Sequence, residues 1–300
     1  MTSSAELRVD LLTRSNFPAA GTDVTCAVSG GADSLALLVL AVAAGCRVTA
    51  AHVDHGLRAG SAAEADVVAT AAARLGAGFR PLRAEVAPGP NLEARARRAR
   101  YRVLPPDVLT GHTADDQAET VLVNLCWGAG LDGLAGMGPE GHPLLGLRRS
   151  ETVALCAAEG LTPVADPSNA DPAFRRNRVR HEALPLLSEI ARRDVAGVVA
   201  RQAALLRADA DLLDALAAPI DPTDAGALAA APVALARRAV RRWLATSAER
   251  GGHPPDAAAV ERVLAVARGE VRATEVTGIG RVSRSRGRLA FDASYRQADG

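Results

Sequence analysis

The chain has 300 residues, a formal net charge of +1, 48% hydrophobic residues and 23% charged ones, which argues against a disordered or fibrous polypeptide and gives length for one large domain or two ordinary ones. Only 3% of residues are aromatic and all 35 basic residues are arginine, so the core must be built from Ala, Val and Leu, and no lysine can fill the phosphate role it has in a Walker loop. Cys26, Cys46, Cys126 and Cys156 lie far apart with no CxxC pair, which argues against a zinc ribbon or iron–sulfur cluster and for a reduced, cytoplasmic protein; the longest apolar run, LALLVLAVAAGC, is too short to span a bilayer.

VTCAVS (24–29) reads as a buried strand, followed by the helix SLALLVLAVAAG, which ends at Gly45. RVTAAHVD gives a second strand, SAAEADVVATAAARLG a helix stopped by Gly76, and FRPLRAEV a third strand. NLEARARRARYRVL is a helix with Asn91 as its N-cap, DVLTGH a fourth strand, and TADDQAETVLVNLCW another helix. Strands alternating with helices predict an α/β fold, a doubly wound parallel sheet covered on both faces. Ligands of such sheets bind at the carboxyl ends of the strands. SGGADS, HVDHGLR and GHTADDQAET each begin where a predicted strand ends, so all three should meet along one edge.

After Trp127 comes the glycine-rich stretch GAGLDGLAGMGPEGHPLLG, too long for an ordinary connection and therefore a mobile lid or a structured binding loop. Helical segments follow from about residue 150. The alanine-rich stretch from roughly 190 to 218 reads as one long helix, and PIDPTD (219–224) reads as a boundary. The last part predicts helices near 232–249 and 256–268 and then a small β-meander in TEVTGIGRVSRSRGRLAFDA. This gives residues 1–190 as the main domain, 191–218 as a helical linker and 219–300 as a smaller, mostly helical carboxyl-terminal domain. Arginines crowd into residues 93–102, 174–181, 236–243 and 281–288. Each patch alone suits a solvated helix face, and the four together suit a polyanion.

The chemistry concentrates in a few motifs. A literal GxGxxG, Gly128 to Gly133, follows a helix rather than a strand, so the dinucleotide context fails. In SGGADS, Gly30 and Gly31 let backbone amides approach a phosphate, Ser29 and Ser34 add hydroxyls, and Ala32 leads into the helix. Asp33 would be repelled by phosphate alone, which suggests a bridging Mg²⁺ or an unusual charge arrangement. Asp115, Asp116 and Glu119 share a helix face at spacings of three and four, a repulsion that a cation such as Mg²⁺ or an ammonium would relieve. His112 ends a strand one turn from them and can touch phosphate or the reacting base. His52 and His55 suit a structural or adenine-pocket role better than a zinc site. Arg176, Asn177 and Arg180, after Asp166, Ser168 and Asn169, offer guanidinium forks for the α-phosphate or for RNA.

SGGADS resembles the loop of the ATP pyrophosphatase (PP-loop) superfamily. Together with HVDHGLR (52–58), NLEARARRARY (91–101), TGHTADDQAET (110–120), GLDGLAGM (130–137) and DPSNADPAFRRNRVR (166–180), it is similar to the tRNA(Ile)-lysidine synthetase family over about the first two thirds of the chain. The resemblance implies an ATP-dependent ligase that adenylates C2 of the wobble cytidine in the CAU anticodon of tRNA(Ile). Free L-lysine is then joined there, with release of pyrophosphate and AMP, so that AUA is read as isoleucine. It further implies that Ser29, Gly30, Gly31, Ala32, Asp33, Ser34, His52 and His55 hold ATP, that Asp33 helps place Mg²⁺, and that Asp115 and Glu119 hold the lysine ammonium. Asp33, His112, Asp115, Asp116, Glu119, Arg176, Asn177 and Arg180 then form the catalytic set, with the general base open among His112 and the carboxylates. Trp127 and His142 depart from the pattern, standing where relatives carry arginine. A tRNA thiolase or a small-molecule amide ligase of the same superfamily is the alternative, and a homodimer is left open.

Overall fold

Val24, Cys26 and Val28 alternate with residues of the opposite side, and the helix that follows is buried all along Ser34–Ala41, so the first strand and helix start inside a core rather than on a surface. The structure, a computed structural model, describes residues 3–54, 56, 61–87, 89, 92–164, 171–247 and 255–292. The chain divides into two compact units, Met1–Arg207 and Ala208–Gly300.

The first unit runs α1 (Ser4–Thr13), β1 (Asp23–Ala27), α2 (Ala32–Ala43), β2 (Arg47–Asp54), α3 (Ser61–Arg74), β3 (Gly78–Arg83), α4 (Leu92–Val103), β4 (Leu109–Thr110), α5 (Ala114–Cys126), α6 (Leu131–Leu134), α7 (Arg149–Ala158), α8 (Arg175–Arg178), a π-helical turn at Val179–Ala183, and α9 (Leu184–Ala191). The long helix α10 (Val195–Ala217) follows, and the division between the units falls within it. Four strands form one parallel sheet in the order β3-β2-β1-β4. The period-two alternation sends Val24, Cys26, Val48 and Ala50 into a core with α2 and α3, and Ala27, Ala51 and Val53 into a second cluster with Leu104 and Val108. Both faces are therefore covered, as a doubly wound sheet requires.

The chain steps outward from β1 to β3 and then returns to place β4 on the other side of β1. The crevice of such a sheet opens where the order reverses, between the carboxyl ends of β1 and β4. Two of the three motifs flagged above, SGGADS and GHTADDQAET, leave the sheet there.

Three element boundaries differ from the sequence reading. The fourth strand pairs over Leu109–Thr110 alone, because the Thr110 N–H already bonds the Gly141 carbonyl at 2.8 Å and the chain then turns beneath α2 at Gly111. The expected single helix from 190 to 218 is broken between α9 and α10, where Arg192 takes the left-handed conformation with φ 50°. The third strand stops at Arg83 rather than continuing through Val86. Asn91, the expected cap of α4, lies outside the described residues.

The second unit contains the end of α10, then α11 (Ala225–Ala230), α12 (Val233–Ser247), α13 (Ala257–Arg268) and the antiparallel meander β5 (Ala273–Val276), β6 (Gly280–Ser285), β7 (Arg288–Asp292). Its own core gathers Leu228, Val240, Leu244, Val263, Leu264 and Val282, with Trp243 stacked on Phe291 at 4.2 Å between ring centres. Several of its arginines are engaged internally: Arg237 with Glu261, Arg238 with Asp214, and Arg288 with Asp221.

Candidate active site

The turn between β1 and α2 is held by its own serines. The Ser34 hydroxyl donates to the Gly31 carbonyl at 2.9 Å and accepts the Ser29 N–H at 3.1 Å, with the Ser29 hydroxyl 3.2 Å away. Gly30 has φ +92°, and a Cβ there would meet Val164 at 3.2 Å, while the Val164 N–H bonds the Gly30 carbonyl. Gly31 is the N-cap of α2 and Ala32 its first residue. Backbone amides at the start of a twelve-residue helix thus surround the position an anion would take.

Gly111 sets the next element against this turn: a Cβ there would lie 2.5 Å from the Asp33 carbonyl oxygen. The close approach brings α5 and its carboxylates beside Asp33. Asp116 reaches back to the Thr113 N–H and hydroxyl, both at 2.9 Å, which fixes its rotamer as the helix begins. Its other oxygen accepts Arg149 at 2.8 Å.

Arg149 is the hub. Its guanidinium donates to Asp116, to Asp33 at 3.2 Å and to Glu119 at 3.2 Å. Thr152, one turn further along α7, donates its hydroxyl to Asp33. Glu119 is completely buried and also accepts Arg180 through both oxygens at 2.7 and 3.1 Å, with Arg176 at 3.5 Å. Arg176 and Arg180 also stand 3.7 Å from Asp116. Asp115 faces elsewhere: Arg148 grips it with two bonds at 2.8 and 2.9 Å, and the Arg149 N–H adds a third at 2.8 Å. The repulsion expected among the three carboxylates of α5 is therefore relieved by guanidinium groups of this chain, and Asp115 pairs with the Arg148 guanidinium rather than with that of Arg149.

Burial and ion pairing oppose each other here. For Asp33 burial prevails and raises its pKa, despite the Thr152 and Arg149 bonds. For Asp116 burial pushes the same way, but Arg149 and the Thr113 N–H prevail and hold it below the ordinary carboxylate value. Asp115 is likewise lowered, burial being outweighed by Arg148. Burial drives the His112 imidazole down to about 3, against the pull of Asp116.

His112 makes its contacts on the far side of the cluster. Its Nδ1 lies 2.8 Å from the Thr110 hydroxyl, and His142 Nδ1 lies 2.6 Å from that same oxygen. The two rings meet edge to face at 4.9 Å. His142 and Thr110 line a cavity of about 480 Å³ together with Arg97, Tyr101 and Glu140. His52, nearly fully buried, ties the end of β1 to β2 through Nδ1 and the Val28 carbonyl at 2.9 Å. Asn177 donates to the Asp171 carbonyl at 2.8 Å and positions α8. His55, Asp166, Ser168 and Asn169 lie outside the described residues. In HVDHGLR, Asp54 caps its own turn by accepting the Gly56 N–H.

The glycine-rich segment is a structured loop. Gln117 of α5 pins it with two bonds, donating to the Met137 carbonyl and accepting the Met137 N–H, and Asn124 donates to the Gly133 carbonyl. Sequence reasoning passed over Arg148, Arg149 and Thr152. The available signal was a pair of arginines opening a helix, where cations oppose the helix dipole and need a reason to be there.

A family model described as the PP-loop domain matches residues 2–187, and a model described as the TilS substrate binding domain matches residues 224–290. A tRNA(Ile)-lysidine synthase of Nocardia farcinica (strain IFM 10152) is 44% identical over 272 residues, 85% of this chain and 86% of its own. One from Rhodococcus erythropolis (strain PR4 / NBRC 100887) is 48% identical over 238 residues, 74% and 73% of the two chains. The chain belongs to the tRNA(Ile)-lysidine synthase family. The U34-tRNA thiolase NcsA from Methanococcus maripaludis superposes with a TM-score of 0.51 and 15% identity over 68% of this chain and 79% of that one, a likeness of fold. The parallel sheet, its reversal between β1 and β4, and the helical part ending in a meander are thus the architecture of a lysidine synthase. The family uses ATP. No described helix is long and apolar enough to cross a membrane.

Proposed function

We propose that this chain is the ATP-dependent ligase that joins free L-lysine to C2 of the wobble cytidine of a CAU-anticodon tRNA(Ile), acting in the cytoplasm. The observation that carries the reading is the convergence of Asp33, Asp116 and Glu119 with Arg149, Arg176 and Arg180 beside the glycine turn. Such a site offers cationic forks to a phosphate and carboxylates to an amine within one set of side chains.

In this reading the cytidine O2 attacks the α-phosphorus of ATP and pyrophosphate leaves; the lysine ε-amine then attacks C2 and AMP departs. The amides of the turn and the guanidinium groups of Arg176 and Arg180 stabilise charge that grows on phosphate oxygens. Asp116 and Glu119 are the pair suited to the ammonium, because Arg149 already joins them as a cation would; Asp115, engaged by Arg148, takes a positioning role on α7. Mg²⁺ is commonly held by one or two carboxylates together with substrate phosphates. Asp33 at the mouth of the turn, with Asp116 across Arg149, is a donor set that fits, and the ion would supply charge neutralisation. The amine's proton falls to a carboxylate of the cluster or to His112. Residues 1–190 carry the chemistry, 191–218 link, and 219–300 bind tRNA, a division supported by the extents of the two family matches.

The thiolase alternative gains no support from the cysteines. Cys26 and Cys156 are buried, their thiols pushed up to about 12 and about 11 by burial, and Cys126 is exposed at the end of α5. The test is pyrophosphate release from ATP with a CAU-anticodon transcript, with and without lysine, followed by entry of labelled lysine into the RNA. Release that needs the cytidine, with label at that nucleotide, supports the reading. Release without incorporation redirects it to another acceptor.

A further inference from the structure

We infer that Trp127 and Arg175 form a stacking platform for a nucleobase of the anticodon loop beside the reacting cytidine, a reading that rests on the proposed tRNA substrate. Aromatic residues make up only 3% of this chain, and it has just two tryptophans. Trp243 is used in the core of the second unit, against Phe291. Trp127 is 64% exposed at the C-cap of α5, next to the exposed Leu125 and Cys126. A large indole left in water, where a small residue would end the helix as well, has no part in packing.

Two further observations choose the occupant. The Arg175 guanidinium lies over one face of the indole, 4.6 Å from its centre. A cation fixed on an aromatic face suits a base whose attached phosphate the cation can meet, and the opposite face is left for stacking. Continuity with the active site is the second. Arg176, the next residue, turns to Asp116 and Glu119, so consecutive arginines of α8 address the carboxylates and the platform. Along α5 the eight residues from Glu119 to Trp127 rise about 12 Å, a span of one or two nucleotides in a splayed single strand. A nucleotide held at the carboxylates therefore places a neighbour within reach of the indole.

The test uses the whole chain and a seventeen-nucleotide anticodon stem-loop bearing CAU. RNA should quench tryptophan emission in the native protein, and this quenching should disappear in Trp127→Phe, which still carries Trp243. In lysine-incorporation assays, Trp127→Ala should raise KM for tRNA about tenfold, within the range for loss of one stacking aromatic. Its kcat and its KM for lysine should stay near those of the native chain, and Trp127→Phe should restore most of the tRNA affinity. If the native chain forms lysidine while its emission ignores saturating RNA and Trp127→Ala keeps its KM, the platform is wrong and the function stands. If the native chain does not bind the stem-loop at all, both fall. A loss of kcat in Trp127→Ala that phenylalanine does not rescue would assign the indole to loop structure instead and overturn the inference.

Discussion

Glu119 is a carboxylate with no exposed surface, and Arg149, Arg176 and Arg180 surround it. Arg149 matters most, since it is shared by three acids. Replacing Arg149 with methionine keeps much of the side-chain volume and leaves partly buried carboxylates without their common cation; a loss of about 3 kcal/mol is expected, read from the urea midpoint. An unshifted midpoint would mean that Arg176 and Arg180 suffice. His112 gives a pH signature of definite sign. Its folded pKa, about 3, lies below the value of about 6.5 it has when unfolded, so the unfolded chain binds the extra proton. That contribution to stability is present above about pH 6.5 and is lost as pH falls towards 3, at up to about 1.4 kcal/mol per pH unit. In His112→Asn, melting temperature should decline less steeply between about pH 6.5 and 4.5 than in the native chain; parallel curves would contradict the burial argument. Residues such as Asp33 and Asp116 were legible in the sequence because each stands at the start of a helix that follows a strand. Arg149 was not, because it joins acids 116 and 33 residues away and belongs to a run of only two arginines.

Strand order and local turns, more than side chains, bring these groups together. Gly111 makes one of the tight contacts, with β4 ending against the first turn of α2. Gly111→Ala would force these backbones apart, so a loss of about 2 kcal/mol in stability is expected, as for other overpacked sites. Because the displaced elements carry Asp33 and Asp115 to Glu119, kcat should fall much further than the fraction folded. Full activity in that variant would show that α5 is placed by other contacts. The βαβ pattern was readable because strand and helix periods alternate cleanly from Val24 to Cys126. The break at Arg192 was not: LSEIARRDVAG holds no proline, and its arginine takes a left-handed conformation usually marked by glycine. The π-helical turn at Val179–Ala183 also has no periodic signature, yet it carries Arg180 to Glu119.

At the scale of the whole chain, a net charge of +1 conceals arginine groups whose roles the structure separates. Arg237, Arg238 and Arg288 already have carboxylate partners within the second unit, so the count of arginines overstates what is available to RNA. Binding of tRNA should still weaken at least tenfold between about 50 and 200 mM salt, with a log–log slope set by the few phosphates contacted; a flat response would remove the electrostatic grip. In the active-site cluster, Arg149, Arg176 and Arg180 match Asp33, Asp116 and Glu119 charge for charge, so it can trade partners only in neutral sets, as a salt does. An amine that takes over a carboxylate sets a guanidinium loose, and that guanidinium gains by meeting a phosphate. Lysine and ATP should therefore each raise the affinity of the other, by the same factor whichever arrives first, and calorimetry with a non-hydrolysable ATP analogue reads that factor. Independent affinities would mean that the ion pairs stay closed throughout. Coupled ones would make the cluster an exchanger that admits the amino acid and the nucleotide as a pair.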